Sequence, residues 1–218
     1  MTSIWETAGQ VWQNVSGLLR NRRDKTPIDS VAALTDFLAT RSAYVAQKTL
    51  YGYVKTRMGT RYPLMFEDEQ LILSLNIAKL NVFAACLSDM TVYAVAIVLH
   101  DRPVGNDERV ALARRCYEAA LQENAANAPA EFPAQPCTDE FVRRLGETDW
   151  RSRARQPDNF TVSPRALVRW APIADELKKY DTEVVENSVK FAWRDIRGQL
   201  QKRLVADAVA ADWSRQSA

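Results

Sequence analysis

Glycine is scarce in this sequence, with seven among 218 residues, about half of the usual frequency of about 7%. The glycines stand at positions 9, 17, 52, 59, 105, 146 and 198, so neither G-x-G-x-x-G nor G-x-x-x-x-G-K-[ST] occurs. Both loops need closely spaced glycines because their backbone N–H groups must approach a phosphate. The shortage therefore excludes the common nucleotide-binding loops and disfavours turn-rich β architectures.

Histidine and cysteine are also rare, with one histidine and three cysteines. A single histidine cannot build H-E-x-x-H, a three-histidine zinc site or a paired E-x-x-H di-iron site. Cys86, Cys116 and Cys137 contain no C-x-x-C pair, which is typical of reduced thiols in a cytoplasmic protein. We therefore expect no metal and no cofactor.

Charge of either sign is not in excess, since 29 Lys and Arg stand against 27 Asp and Glu. A net charge of +2 is too balanced for an obligate polyanion binder. No nucleic-acid recognition module is visible, so we expect no sequence-specific binding to nucleic acid.

Apolar residues recur at three- and four-residue steps through most of the chain, which predicts an all-α fold. We expect a helical bundle of six to eight helices in a single domain over residues 26–218. Residues 1–25 form a separate amphipathic helix and basic linker, and a Pro-rich internal linker lies near 128–137. Helices are expected over about 29–58, 67–87, 88–100, 106–127, 138–154, 163–180 and 181–212, with Gly59 at a helix end.

The N-terminal segment combines an apolar helical stripe with a basic end. The residues that carry this pattern are Ile4, Trp5, Val11, Trp12, Val15, Leu18 and Leu19, followed by Arg20, Arg22 and Arg23. Two tryptophans next to a basic tail suit a helix that lies in a membrane interface. Docking on the chain's own domain or on a protein partner explains the same pattern, so these residues form a predicted membrane- or partner-binding surface.

Basic and aromatic residues alternate along the second predicted helix. The side chains concerned are Arg41, Tyr44, Lys48, Tyr51 and Lys55. A seven-residue step places such residues on one helix stripe, which could bind an anion or another ligand. The alternative is that tyrosines and lysines border the core with their polar tips in water.

An apolar stretch runs from Leu71 to Leu99 and contains Asp89. It is long enough to suggest a membrane span, but a carboxylate in its middle favours the core helix of a soluble bundle. Asp89 then needs a partner, which we expect to be a base of the second helix or a tyrosine hydroxyl.

The pattern favours a non-enzymatic accessory or adaptor protein at the cytoplasmic membrane surface, peripheral on the inner face and bound to a protein partner. The alternative is a soluble helical protein that binds a lipid-like or anionic small molecule. A third reading is a hydrolase that uses His100 with Cys86 or Ser88 as nucleophile. The sequence leaves the oligomeric state open.

Overall fold

The computed structural model describes residues 25–132, 134–153 and 160–217, without the side chains of residues 64–66 and 153. Within these residues the fold is all-α and has no strands, which confirms the predicted class. The nine α-helices of the described residues are α1 (Val31–Met58), α2 (Glu69–Val98), α3 (Asn106–Asn124), α4 (Ala134–Gly146), α5 (Trp150–Arg153), α6 (Val162–Trp170), α7 (Asp175–Lys178), α8 (Thr182–Arg203) and α9 (Ala206–Ser217). A 3₁₀ helix, Gly59–Glu67, connects α1 to α2.

Helix α2 lies at the centre and contacts α1, α3, α4, α5, α6 and α9. It begins at Asp68, whose carboxylate accepts hydrogen bonds from the amides of Gln70 and Leu71. It continues unbroken through Ser88 and Asp89, so the two helices expected over 67–87 and 88–100 are one helix. A helix that is apolar on every face belongs in a core, because each face must be covered.

Helix α2 is also the helix, among those described, that is long and apolar enough to cross a membrane by length and composition. Of its most apolar window, 61% is buried inside the protein. This burial agrees with the predicted core helix.

Both ends of α1 carry local signals that the sequence contains. The Ser30 side chain accepts from the Ala33 amide and caps the helix, which begins at Val31, close to the predicted start at about residue 29. Gly59 ends α1 with φ 55° and ψ −127°. The positive φ was expected, but the ψ is not that of a left-handed helical residue.

Three predicted boundaries are corrected. The helix expected over 163–180 ends at Trp170, before Pro172, which cannot continue it. The helix expected over 181–212 is divided at Leu204, because Leu204 forms a parallel bridge with Ile28. The linker expected over 128–137 is shorter, since α4 begins at Ala134 and includes Pro136 in its first turn, where a backbone donor is not needed.

Candidate ligand-binding cleft

Asp89 is buried in the middle of α2 and forms an ion pair with Arg144 of α4. The Arg144 guanidinium donates to Asp89 Oδ1 at 2.8 Å and to Ser88 Oγ at 2.7 Å. The Asp89 side chain has no exposed surface, and that of Arg144 is 14% exposed. A buried carboxylate needs such a partner because the interior does not solvate its charge.

The second Asp89 oxygen holds the start of α6. Oδ2 accepts from the Ser163 amide at 2.8 Å and from the Ser163 hydroxyl at 2.7 Å. The Ser163 hydroxyl in turn accepts from Trp193 Nε1 of α8 at 3.0 Å. A carboxylate at a helix N-terminus is favoured by the unpaired amides and by the helix dipole. Asp89 therefore joins α2, α4, α6 and α8.

The sequence predicted that Asp89 is buried but expected its partner in the second helix or in a tyrosine. That expectation is wrong: the partners are Arg144 and Ser163. Arg144 belongs to a run of arginines mixed with Glu147 and Asp149, which resembles a solvated face. Sequence spacing alone gives no sign that one arginine of this run points inward.

A cleft of about 590 Å³ lies next to this network, between α2, α4 and α6. Its volume falls within the usual range of small-molecule sites, about 300–1,000 Å³. The side chains that determine its chemistry are Asn81, Ala84, Ala85, Tyr117, Cys137, Glu140, Phe141, Arg143, Arg144, Glu147, Arg165, Arg169 and Trp170.

The side of the cleft that reaches solvent is rich in arginine. Arg143 pairs with Glu147 at 3.0 Å, one helical turn away. Arg165 and Arg169 of α6 are exposed, and no carboxylate among the described residues pairs with either. The Arg169 guanidinium lies 5.2 Å from the centre of the Trp170 ring. Two guanidinium groups at (i, i+4) positions therefore face the cleft without an ion-pair partner among the described residues, and the acid Glu140 lines the same cleft.

The inner side of the cleft is apolar. The Tyr117 and Phe141 rings stack with centroids 3.9 Å apart, and Ala84 and Ala85 belong to the central helix. Burial raises the pKa of Tyr117 and keeps its hydroxyl neutral. Burial, with a smaller contribution from Glu140, raises the pKa of the Cys137 thiol to about 11. The cleft thus has an apolar inner wall and an opening where the bases Arg165 and Arg169 outnumber Glu140, the acid without an ion-pair partner among the described residues.

A second cleft of about 600 Å³ lies between α1, α2 and α3. It contains Asp36 and Glu123 but only one base, Lys79, whose pKa is lowered by burial. Its charges are mixed, and no excess of one sign selects a ligand. We therefore take the cleft beside Arg144 as the candidate site.

The predicted membrane- or partner-binding residues between Ile4 and Arg23 lie outside the described residues. The five residues predicted to bind an anion lie on α1 and do not line the cleft. Arg41 is buried and donates to Gln199 of α8 at 3.0 Å. Lys48 lies 5.6 Å from the Tyr44 ring centre.

The two remaining members of this set differ in exposure. Tyr51 is half-buried, and burial raises its pKa to about 12. Lys55 is exposed on the last turn of α1. The five side chains therefore occupy core, border and surface positions, and the described residues bring them into no common cavity.

His100 lies far from Cys86 and Ser88, the two nucleophiles that the hydrolase hypothesis pairs with it. It lies 12 residues after Ser88 and two residues beyond the end of α2, a separation that corresponds to about 18 Å along the helix axis. Its neighbour is Asp101, with His100 Nε2 3.6 Å from the carboxylate. Cys86 is fully buried, and burial raises the pKa of its thiol. This geometry makes no nucleophile–base pair.

Comparisons with protein-family models, with curated proteins and with solved structures find no match for this chain.

Proposed function

We propose that this chain is a non-enzymatic binding protein that takes an amphipathic anion into the cleft between α2, α4 and α6. The observation that carries the proposal is the pair Arg165 and Arg169, which has no carboxylate partner among the described residues. Guanidinium groups bind carboxylates and phosphates through paired N–H donors. The ligand's acidic group would lie at these two residues.

The inner lining supports an apolar body for the same ligand. The stacked pair of Tyr117 and Phe141, together with Ala84 and Ala85, offers contact surface without an unpaired charge. Burial of apolar surface contributes about 25 cal/mol per Å². A fatty carboxylate or an alkyl phosphate combines both features, whereas a short inorganic anion would use only the arginines.

Arg144 shapes this site but does not offer its charge to the ligand. Two of its nitrogens are occupied by Ser88 and Asp89. Asp89 in turn fixes the start of α6, the helix that carries Arg165 and Arg169. The buried ion pair therefore sets the distance between the two walls of the cleft.

The test is a titration of the full chain with decyl phosphate and decanoate, with decanol as the neutral comparison. We expect the two anions to bind and to raise the melting temperature, and decanol to bind much more weakly. The variant Arg165→Gln/Arg169→Gln should lose at least about tenfold in affinity, since hydrogen bonds to charged groups contribute about 1.5–3 kcal/mol each.

A matched control is Arg114→Gln/Arg194→Gln, which removes the same charge from exposed positions on α3 and α8. This control should bind the anions as the unmodified protein does. An equal loss of affinity in both variants would mean that anion binding depends on the net charge of the protein. The cleft would then not be the binding site.

The second candidate is the adaptor at the membrane surface, anchored through residues 1–25. The observation that favours it is the sequence pattern of Trp5 and Trp12 on one helical stripe ahead of Arg20, Arg22 and Arg23. Its test is co-sedimentation of the full chain with anionic and neutral liposomes. Trp5→Glu/Trp12→Glu should abolish binding to anionic vesicles, whereas Gln10→Glu/Gln13→Glu, with the same charge change on the polar face, should retain most of it.

A further inference from the structure

One of the two acids that line the cleft beside Arg144 has no ion-pair partner among the described residues. The two acids are Glu140 and Glu147, both of α4. Glu147 pairs with Arg143 at 3.0 Å. Arg144, the base one helical turn after Glu140, donates instead to Ser88 and Asp89. The exposed carboxylate of Glu140 therefore keeps its charge available to a ligand.

The Glu140 carboxylate lies close to the apolar inner wall. Burial is the main cause of the raised pKa of the Cys137 thiol and of the Tyr117 hydroxyl, and the negative charge of Glu140 adds to it in both cases. Cys137 precedes Glu140 by three residues on α4, so the two side chains are neighbours on one helix face. The charge of Glu140 thus lies where the apolar wall meets the opening.

The two signs of charge at the opening come from different helices. Glu140 belongs to α4, whereas Arg165 and Arg169 belong to α6. All three side chains are exposed, and all three line the same cleft of about 590 Å³. A head group that lies across this opening meets an acid on α4 and two bases on α6.

This separation of charge selects against ligands with a single sign of charge. A purely anionic head group is attracted by the two arginines but repelled by Glu140, and a purely cationic one has the opposite difficulty. A head group with both signs pairs with both helices, and charge complementarity of this kind determines which ligand is preferred.

We infer that the ligand of this cleft has a zwitterionic head group, with its acidic group at Arg165 and Arg169 and an ammonium group at Glu140. The inference rests on the proposed function, which assigns the acidic group and the apolar body. A phosphodiester combines all three parts, because one ester oxygen carries the alkyl chain and the other carries the ammonium group. The class of ligand is therefore an alkyl phosphodiester of an amino alcohol.

The experiment compares 2-aminoethyl decyl phosphate with ethyl decyl phosphate, which has the same phosphodiester and alkyl chain but no ammonium group. Both are titrated into the full chain beside decyl phosphate. We expect the aminoethyl compound to bind about two- to fivefold more tightly than the ethyl compound, which is the usual effect of a solvent-exposed ion pair. Without Glu140 the added ammonium group would face only arginines, so no gain would be expected.

The variant Glu140→Gln should remove the preference for the aminoethyl compound and leave the affinity for ethyl decyl phosphate unchanged or slightly higher. The matched control is Glu131→Gln, the same substitution at an exposed residue that does not line the cleft. This control should keep the preference, since the two ligands and two variants together isolate the pairwise effect. Melting temperatures of the three proteins without ligand check that each is folded.

Two outcomes would overturn the inference and leave the proposed function intact. The first is binding of decyl phosphate with equal affinities for the two diesters in the unmodified protein. The second is a preference for the aminoethyl compound that persists in Glu140→Gln. If neither decyl phosphate nor either diester binds, the proposed function fails, and this inference fails with it.

Discussion

Arg144 and Asp89 are 55 positions apart in the chain and form an ion pair of 2.8 Å in the interior. The pair joins α4 to the central helix, and Ser163 extends it to α6. An ion pair of this kind is costly to break because the remaining charge stays buried without a partner.

We expect Asp89→Ala to lower the free energy of unfolding by about 3–5 kcal/mol, because Arg144 and the Ser163 amide lose their acceptor. Asp89→Asn should cost less, since one amide oxygen still accepts a hydrogen bond. Urea unfolding measures both variants. Asp101→Ala is the control, because the Asp101 side chain is 94% exposed and its loss should change stability by less than about 0.5 kcal/mol. Similar costs for Asp89→Ala and Asp101→Ala would contradict the structural role of the pair.

Cys137 is the one cysteine of the three that is not buried, and it lies in the cleft. Because burial raises its pKa to about 11, roughly one thiol in a thousand is ionised at pH 8, and maleimide labelling should be slow. The labelling rate should increase with pH up to about 11. Decyl phosphate should slow it further if the ligand occupies the cleft. A labelling rate equal to that of glutathione at pH 8 would contradict the half-buried environment of the Cys137 thiol.

Asp212 of α9 accepts a hydrogen bond from the Val31 amide at 2.9 Å and so caps α1 from a distant part of the chain. This hydrogen bond is the main reason why the pKa of Asp212 is lowered. A carboxyl whose folded pKa is depressed contributes stability above its unfolded pKa of about 3.9, and that contribution is lost as the pH falls through the folded value. This contribution to stability is therefore lost below about pH 4.

Asp212→Asn removes this titration, so its stability should decrease less between pH 5 and pH 2.5 than that of the unmodified protein. At pH 7 the variant should be the less stable of the two. Urea midpoints across this range provide the measurement, and Asp36→Asn, an exposed acid on α1, is the comparison. An unchanged pH profile in Asp212→Asn would show that another group sets the acid sensitivity.

Gly52 lies inside α1 and Gly59 directly follows its last residue, and replacing each by alanine should change the stability in opposite directions. Gly59 has φ 55° and ψ −127°, a conformation that residues with a Cβ rarely adopt, so Gly59→Ala should cost about 1–3 kcal/mol. Gly52 lies inside the helix, with open space where a Cβ would stand. Gly52→Ala should therefore stabilise by about 0.5–1 kcal/mol. Thermal unfolding of the two variants measures both changes in stability. Changes of the same sign would contradict the backbone conformations of Gly52 and Gly59.

The helices were predictable because their signals are local. The apolar repeats, Gly59 and the first acids of α2 act within a few residues of one another. The burial of Asp89 was predictable too, since a single carboxylate in an apolar run has little access to water. These features need no knowledge of how the helices pack.

The boundaries and partners that were missed depend on distant parts of the chain. Leu200 and Leu204 continue a helical spacing, yet α8 ends because Leu204 pairs with Ile28. Arg144 and Arg143 are neighbours in sequence, but the Arg144 side chain is 14% exposed and pairs with Asp89, whereas Arg143 is exposed and pairs with Glu147. In the sequence, the cleft is indicated only by the four-residue spacing of Arg165 and Arg169. That spacing points to a binding site only when the packing of α6 against α4 is known.

The bridge between Ile28 and Leu204 also fixes an order of events during synthesis. Residue 28 leaves the ribosome 176 residues before its partner, a delay of about 9 to 35 s at ordinary elongation rates. Throughout that interval the Ile28 amide and carbonyl lack the Arg203 carbonyl and the Val205 amide, which are their hydrogen-bond partners in the folded protein. The first turn of α1 can therefore be held in its final place only after the end of α8 has been synthesised.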